Sequence, residues 1–481
     1  MAKRRRKNRK QIGTADPRIN LLDVPEELLS IICEMVPFDS LISFALSSRV
    51  FNRLAGTRYL RLIDYQYTSL SIASPRDRYF HGVPFGALYD VVRILGSLSQ
   101  VSYISVRFSD SASTAFLQLE SIVALLRQFQ HDLSSIRLSF SGTRNGMPHA
   151  PSAFEKSFRD FMLQLQRLRC RSIDICGFVP VDEGFKFALP PNHLFGHMTI
   201  SDCFLLAEQH RAWLIEFLNS SGISTLFMEF TEAWVQILPK LLMPSLRDFR
   251  FIGASRDSPN SDINVLTGFL ARHPHVSIVH CGPRFRPMRR HRRGHSHPPL
   301  PSITHLIGTA SQLSCLLKRP DVLRNLRIVR IESERPSTTR PFFQQPDPFP
   351  SSKHRLWELF SRLRGRSALQ HLTLSMNTPE FRTDVLSRRR FTRRSELPQV
   401  GSLTVLDFET LTEHESRDFL KWGRKIFLGV TAVEVSFLKE WGDDGKISFA
   451  RAVAEEWPDV LNLTINYSTK AVETWIQTKG G

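Results

Sequence analysis

A short apolar frame of the form LxxLxL recurs through most of this 481-residue chain and constrains its fold more than any other feature. Most occurrences begin about 23 to 37 residues apart, a period typical of stacked strand-and-helix repeats. A weaker frame begins at Ile303, inside a longer gap. The clear frames are Val101/Ile104/Val106, Leu133/Ile136/Leu138, Cys170/Ile173/Ile175, Phe195/Met198/Ile200, Ile223/Leu226/Met228, Leu246/Phe249/Phe251, Val276/Val279/Cys281, Leu326/Val329/Ile331, Leu369/Leu372/Leu374, Leu403/Leu406/Phe408, Val430/Val433/Val435 and Val460/Leu463/Ile465.

Amphipathic segments between the frames predict one helix for each strand, as in the series Leu356, Leu359, Phe360 and Leu363. One frame, LQHLTLSMN, also ends on an asparagine, Asn377. The pattern resembles a leucine-rich repeat array. That resemblance implies an α/β fold: a curved solenoid with parallel strands on the concave face and helices on the convex face. A non-repetitive α/β domain with buried strands is the alternative, because such strands also give short apolar runs.

If the array forms, strand alternation places the residue between the last two apolar positions on the concave face. We predict a target-binding surface there, basic early in the chain and acidic late, since complementary charge sets selectivity between proteins. A face open to water would also be polar without binding anything. The predicted binding residues are Arg107, Arg137, Asp174, Phe227, Arg250, Arg330, Asp407 and Glu434, with Ser105, Thr199, His280, Thr373 and Thr464 in the same column and Glu229 and Glu409 beside it.

The segment from Val24 to Ala55 predicts three short helices that are more apolar than their own small core requires. Asp23 is the expected cap of the first helix, which Pro37 ends. Asp39 or Ser40 is the expected cap of the second helix. The apolar surplus must pack on the rest of the chain or on a partner.

This block resembles the F-box, whose consensus runs Leu-Pro-x-Glu, then spaced Ile/Leu positions, then Cys/Ser-Arg-x-Trp/Phe. It departs in having Val24 for Leu, Ser40 for Asp and Phe51 where Trp is frequent. A helical hairpin packed on the next domain is the alternative. The matching residues are Val24, Pro25, Glu27, Leu28, Leu29, Ile32, Val36, Leu41, Phe44, Leu46, Ser48, Arg49, Phe51 and Leu54.

The two resemblances together imply a substrate-recognition subunit of an SCF-type cullin-RING ubiquitin ligase, with no catalytic role of its own. Its partners would be a Skp adaptor, through it a cullin, and an unknown target protein. An F-box scaffold that acts outside a ligase is equally compatible with the sequence. The residues expected to contact the adaptor are Pro25, Leu28, Leu29, Ile32, Leu41, Phe44 and Phe51.

The net charge of +18 is concentrated in three segments, at 1–10, 284–293 and 388–394. They hold 18 of the 64 Lys and Arg residues, so the remainder balances the 46 acids. This weakens a nucleic-acid-binding function, which we keep as the runner-up. We interpret the first segment as a nuclear localisation signal or a solvated tail. Its basic residues are Lys3, Arg4, Arg5, Arg6, Lys7, Arg9 and Lys10.

No pattern in the chain predicts catalysis, a cofactor or a metal. Phosphate-loop, dinucleotide and metalloprotease motifs do not occur, and the histidines near 273–297 lie among arginines that repel a cation. The six cysteines form no CxxC pair, and we expect no membrane span and a nuclear or cytoplasmic location. The predicted organisation is a disordered basic head (1–18), the F-box (19–68), a connecting segment (69–98) and the solenoid (99–475), with disordered insertions near 141–155, 282–302 and 332–353.

Overall fold

A computed structural model describes the part of the chain that carries the repeats and the N-terminal helices. The described residues are 24–62, 69–73, 83–84, 102–108, 112–129, 132–141, 153–178, 195–201, 203–253, 263–282, 299–318, 322–332, 355–375, 396–408, 413–437 and 442–477.

The described strands form one sixteen-stranded sheet whose order follows the chain from β3 to β16. At the other end β1 pairs with β3, and β2 lies outside it. Every neighbouring pair is parallel except β15–β16. The strands are β1 Ser69–Ala73, β2 Val83–Pro84, β3 Tyr103–Phe108, β4 Ser135–Ser141, β5 Ser172–Phe178, β6 His197–Ser201, β7 Thr225–Phe230, β8 Asp248–Gly253, β9 Ile278–Cys281, β10 His305–Thr309, β11 Ile328–Glu332, β12 His371–Ser375, β13 Ser402–Phe408, β14 Ala432–Phe437, β15 Asn462–Ile465 and β16 Ser468–Ala471.

Helices lie between most consecutive strands from β3 onward and complete a repeated strand–helix unit; the residues described between β5 and β6, β9 and β10, and β12 and β13 include none. Because the strand order never reverses from β3 onward, the sheet is not doubly wound, and the arrangement is consistent with a leucine-rich-like solenoid. Numbered after the four helices of the N-terminal unit, whose bounds are given below, the α-helices of the array are α5 Ala112–Gln128, α6 Ala153–Arg167, α7 Glu208–Ser220, α8 Glu232–Ile237, α9 Ile263–Arg272, α10 Ala310–Leu316, α11 Arg355–Leu363, α12 Glu413–Ile426, α13 Asp443–Glu456 and α14 Val472–Gln477. Two 3₁₀ turns, Phe204–Leu206 and Leu238–Lys240, adjoin α7 and α8.

The middle apolar residue of each frame aligns with its counterpart on the next strand, and every member of this row is at most 2% exposed. The weak frame at Ile303 is a real repeat, since it leads into β10. The row contains Ile104, Ile136, Ile173, Met198, Leu226, Phe249, Val279, Leu306, Val329, Leu372, Leu403, Val433 and Leu463.

One predicted frame has the wrong phase. Leu403, not Leu406, pairs with Leu372 of β12 and with Val433 of β14. The repeat therefore reads Val400/Leu403/Val405, all fully buried, whereas Leu406 is only half-buried. Two overlapping frames fit the sequence here, and burial against the helices selects the earlier one.

The ends of the array differ from the sequence-based outline. The segment predicted as a connector contains β1 and β2, although neither carries a complete frame. At the other end, Asn466 and Tyr467 have positive φ and form the tight turn between β15 and β16. The indole N–H of Trp475 then donates to the Leu463 carbonyl at 2.9 Å, which ties α14 to the last parallel strand.

Two of the predicted insertions are shorter than expected. Helix α6 begins at Ala153, and Phe154 is fully buried, so residues 153–155 belong to a core helix. Leu300 is also buried, and its N–H donates to the Val322 carbonyl at 2.7 Å. Ser141 and Glu332, at the start of the first and third predicted insertions, are the last residues of β4 and β11, and Gly282 follows β9. Residues 142–152, 283–298 and 333–353 lie outside the described residues.

At the N-terminus, α1 Glu26–Met35, α2 Phe38–Ala45, α3 Arg49–Phe51, a π-helical turn Asn52–Gly56 and α4 Thr57–Leu62 follow in succession. The caps differ from the prediction. Pro25 and Pro37 occupy the two N-cap positions, so Ser40 does not cap α2. The side chain of Asp39 and the whole of Asp23 lie outside the described part. Within the described part of the chain, no helix has the length and apolar character needed to cross a bilayer.

Gly177 of β5 offers a direct test of the strand packing. Its φ is +85°, and a Cβ there would lie 1.7 Å from the Phe140 carbonyl oxygen of β4. We expect Gly177→Ala to cost about 1–3 kcal/mol and to lower the thermal unfolding midpoint measured by circular dichroism. Gly222→Ala is the control, because nothing lies within 4 Å of its added methyl. Equal midpoints for the two variants would contradict the β4–β5 geometry.

Candidate functional site

The first helix has apolar residues on both its inner and its outer side. Leu29 and Cys33, one turn apart, are 2% exposed and face the other helices. Leu28, Ile31 and Met35 lie on the opposite side and are 51%, 52% and 80% exposed. The i, i+3, i+7 stripe that periodicity would assign to the core therefore faces solvent.

The second helix repeats this division. Leu41 and Ala45 are completely buried, whereas Phe38 and Leu46 are more than 40% exposed. The Phe38 ring nevertheless stacks on Tyr59 of α4 with 5.0 Å between centroids, which holds its orientation. We call Leu28, Ile31, Met35, Phe38 and Leu46 the exposed apolar set.

Specific contacts hold these helices together. The Arg58 guanidinium of α4 donates to the Cys33 carbonyl and, at 3.2 Å, to the Val36 carbonyl, so it caps the end of α1. The Ser48 hydroxyl accepts the Phe51 N–H at 3.2 Å and starts α3. Burial raises the pKa of the Cys33 thiol, although the Arg58 charge acts in the opposite direction. The exposed apolar set thus rests on a fixed scaffold.

The seven residues predicted to contact an adaptor divide by burial. Pro25 and Leu28 are exposed, and Ile32 and Phe44 are half-buried. The other three, Leu29, Leu41 and Phe51, are at most 4% exposed and form the core of the helical unit, so they are not surface contacts. Sequence reasoning did not include Ile31, Met35, Phe38 and Leu46 among these contacts. Leu29 and Cys33 are four residues apart and therefore lie on one side of α1. That spacing could have predicted them as the inner side and Leu28, Ile31 and Met35 as the outer side.

The sheet face that points away from the helices, here called the open face, carries a central row of side chains in register across β3 to β15. Ile307 and Thr404 join the predicted column. Asp407 does not, because the corrected frame puts Thr404 opposite Thr373 and Glu434; Asp407 lies three residues further along β13, and its side chain is outside the described part. The row contains Ser105, Arg137, Asp174, Thr199, Phe227, Arg250, His280, Ile307, Arg330, Thr373, Thr404, Glu434 and Thr464.

The arginines of the central row are paired with acids on the same face. Arg137 Nε lies 3.4 Å from the Asp174 carboxylate on the next strand. The Arg250 guanidinium donates to the Asp248 carboxylate through Nε and Nη2, and the Nη2 contact is the shorter, at 2.6 Å. Burial raises the pKa of Asp174, partly offset by the positive charge of Arg137. The early part of the face is therefore not a free basic surface as the sequence had suggested.

A similar cluster lies on β9 and β11. Glu332 Oε1 is 3.5 Å from Arg330 Nε, and its Oε2 is 3.3 Å from His280 Nε2. The charges of Arg330 and Glu332 already lie beside each other. In binding, such paired groups set the orientation and selectivity of a partner more than they attract partners of one net charge. Arg107 lies exposed on β3, in the neighbouring row.

Three side chains link β12, β13 and β14. The Thr404 hydroxyl donates to Glu434 Oε2 at 3.0 Å, and His371 Nε2 lies 3.3 Å from the same hydroxyl oxygen. The same His371 nitrogen lies 3.1 Å from the Thr373 hydroxyl oxygen on its own strand. Burial lowers the pKa of His371, the Glu434 carboxylate acts to raise it, and His305 lowers it further.

Five apolar side chains are interspersed with polar ones in the middle of the open face, and all of them except Phe227 were missed from the sequence. These five are half-buried, although they point away from the helices. The available signal was the occurrence of adjacent apolar residues, as in Ile278–Val279 and Ile328–Val329, which makes both faces of a strand apolar. We call this set the central apolar patch: Phe227, Ile252, Ile278, Ile307 and Ile328.

Other predicted features are placed as follows. Among the described residues, no group of three His, Cys, Asp or Glu side chains is arranged to hold a metal ion. His273 is buried and its Nε2 accepts the Met243 N–H at 3.0 Å, so its role is structural. The localisation-signal residues 3–10 and Glu409 lie outside the described part of the chain.

No protein-family model matches this chain, and no curated protein matches its sequence. Among solved structures it is similar to a chain of the yeast Rad7 and Elc1 complex, at 11% identity and a TM-score of 0.33, covering 85% of this chain and 86% of that one. It is also similar to a protein from Bacteroides fragilis, at 12% identity and a TM-score of 0.30, covering 77% and 75%. Both TM-scores are below 0.5, so the function is argued from the geometry above.

The link across β12–β14 predicts opposite pKa changes in two variants. Glu434→Gln removes the carboxylate that favours the charged imidazole, so the pKa of His371 should fall further. His305→Gln removes a charge that disfavours it, so the pKa should rise. Both are measured by NMR pH titration of labelled histidine Cε1–H signals, with His371→Gln to assign the resonance. Shifts in the same direction would rule out this arrangement.

Proposed function

We propose that this protein is the target-recognition subunit of an SCF-type cullin-RING ubiquitin ligase. The observation that carries the proposal is the exposed apolar set on α1 and α2, whose inner faces are already filled. The residues around it resemble the F-box, the element by which such subunits bind a Skp adaptor. In this proposal the adaptor, and through it a cullin, binds the N-terminal helices.

The energetic argument rests on water exposure. Burying a leucine, methionine or phenylalanine side chain stabilises a complex by about 1.5–3 kcal/mol relative to leaving it in water. Leu28, Ile31 and Met35 lie on one side of a helix and are each at least half exposed. Because Arg58 and Ser48 already fix the helices, little ordering is needed when a partner covers this side.

The target protein would bind the open face of the sheet. Protein interfaces combine apolar contacts with polar ones, and the open face offers both, because Arg250 and His280 lie between Phe227 and Ile307 in one row and Arg330 follows Ile307. Phe227 is the aromatic member of the patch and the side chain we expect to contribute most to binding. The Arg250–Asp248 and Arg330–Glu332 ion pairs would then select among targets.

The chain would contribute proximity rather than chemistry. Joining an adaptor-binding unit to a target-binding face raises the effective concentration of target lysines near a ubiquitin thioester held by another subunit. Such a role requires no nucleophile, cofactor or metal in this chain. The protein is therefore proposed as a non-catalytic adaptor.

The adaptor interaction is tested with Leu28→Asp. A carboxylate on the outer face of α1 would be desolvated by the adaptor, so co-purification of the Skp adaptor and cullin should fall at least tenfold, about 1.4 kcal/mol or more. Leu117→Asp, on the equally exposed outer side of α5, is the matched control and should retain both partners. Retention of the adaptor by Leu28→Asp would refute the proposal, and adaptor binding without cullin would indicate a scaffold outside the ligase.

The target-binding face is tested with Phe227→Ala. Truncating Phe227, the half-buried aromatic side chain on the β7 side of the patch, should remove about 2 kcal/mol or more of target binding. In affinity purification with mass spectrometry, target proteins should be depleted while the adaptor stays bound. Thr199→Ala, in the same row on the adjacent strand β6, is the control. An unchanged set of bound proteins would place target recognition elsewhere.

A further inference from the structure

The edge of the sheet at which the parallel strands begin is strongly basic from β5 to β12. We call it the strand-start edge; it consists of the segments 167–171, 195–196, 221–224, 238–247, 272–277, 299–304, 322–327 and 363–370, each leading into one strand. These segments hold ten Lys and Arg residues and no Asp or Glu. The imbalance persists although the folded part of the chain is close to neutral, so it is a local property of this edge.

Part of this charge has a structural explanation. Helices end at the same edge, and their negative C-terminal dipoles favour cations. Arg167 at the end of α6 donates to the Phe129 carbonyl at 3.0 Å, and Arg272 at the end of α9 donates to the Leu238 carbonyl at 2.7 Å. Each closes the end of the preceding helical segment, so these two arginines are needed for the packing of neighbouring repeats.

Five other arginines do not fit that explanation. Their side chains are exposed, and within the described part of the chain none makes an ion pair or a side-chain hydrogen bond. Arginines of the open face differ, because Arg137, Arg250 and Arg330 each have a carboxylate within 3.5 Å. The five are Arg169, Arg171, Arg247, Arg324 and Arg327.

Three of the five occupy equivalent positions, each immediately before a strand. The ladder puts Arg171, Arg247 and Arg327 in one row before β5, β8 and β11, three strands apart. Strands lie about 4.8 Å apart, so neighbouring members are about 14 Å apart and the row spans about 29 Å. That length is close to one turn of B-form DNA, about 34 Å.

The backbone fixes this row. The Ser224 carbonyl accepts the N–H groups of both Arg247 and Asp248, at 2.8 and 3.0 Å, and the Thr304 carbonyl accepts those of Arg327 and Ile328, at 2.9 and 3.0 Å. Each arginine backbone is therefore held by the preceding repeat, whereas its guanidinium is exposed. Beside Arg247 is a cleft of about 340 Å³ lined also by Ser224, Pro244, Ser245 and His275. Its hydroxyl and guanidinium groups are suited to phosphate oxygens.

We propose that the strand-start edge binds the phosphate backbone of a double-stranded nucleic acid. Regularly spaced, unpaired arginines supply the sequence-independent attraction that duplexes require. The one Phe, Tyr or Trp in these segments is Phe195, which is only 2% exposed, so the edge lacks the stacking platform of a single-strand binder and the aromatic centre of a protein interface. This surface is distinct from the open face and from the exposed apolar set, and it is independent of the ligase proposal.

The test measures how salt weakens binding of the full chain to a labelled 20-base-pair duplex of random sequence, by fluorescence anisotropy between about 50 and 200 mM NaCl. The variant carries Arg171→Ala, Arg247→Ala and Arg327→Ala. Each phosphate contact contributes about 0.9 to the slope of log K against log salt, so the slope should flatten by up to about 2.7. The Arg-rich segments at 1–10, 284–293 and 388–394 are unchanged, so the difference reports the edge.

The matched control carries Arg137→Ala, Arg250→Ala and Arg330→Ala, which removes the same charge from the open face. Its slope should equal that of the unaltered protein. A second variant, with Arg171→Lys, Arg247→Lys and Arg327→Lys, should retain most of the slope, because the charges are kept. Equal flattening in the edge variant and the control, or no flattening in either, would overturn the proposal. The proposal would also be overturned if a single strand, an acidic protein or phosphatidylserine vesicles bound as tightly as the duplex, or more tightly, and lost that binding in the edge variant.

Discussion

The fold depends on one row of buried side chains that runs through thirteen consecutive strands. Each repeat contributes one apolar residue at the centre of its strand, and each is covered by neighbours on both sides in the row. A single strand–helix unit cannot bury this residue alone, so stability comes from stacking units in chain order. The two ends of the sheet differ from each other. Strands β1 and β2 extend it beyond β3, and at the opposite end the β15–β16 hairpin and Trp475 close it.

Once that row is buried, strand alternation determines where every other kind of side chain can lie. Residues on either side of it point to the open face, and residues just before each strand lie at the strand-start edge. Arginine shows the consequence. On the open face it meets acids from its own or an adjacent strand and is neutralised, as in Arg137–Asp174. At the edge the preceding segments carry no acid, so Arg171 and Arg247 keep their charge available to a partner.

Most of the array could be predicted from the sequence because a buried row requires an apolar residue at a fixed phase in every repeat. The prediction is wrong where the pattern is ambiguous: VGSLTVLDF fits two frames, and burial against the helices selects Leu403, which pairs with Leu372 of β12, over Leu406. It missed β1 and β2, whose segment holds no complete frame. The members of the central apolar patch other than Phe227 were also missed, because in a strand such as Ile328–Glu332 apolar residues occur on both faces and the period no longer identifies the inner one.

The N-terminal helices show the limit of periodicity more sharply. In α1 the apolar residues surround most of the helix, so the sequence predicts a helix but not which side is inside. The inner side is decided by contacts distant in sequence: Arg58 binds carbonyl groups at the end of α1, and Phe38 stacks on Tyr59 with 5.0 Å between ring centroids. These contacts turn Leu29 inward and leave Leu28 in water. The residues that matched a consensus as one group therefore separate into a core that holds the helices and a surface that can bind, and only the surface residues are available to a partner.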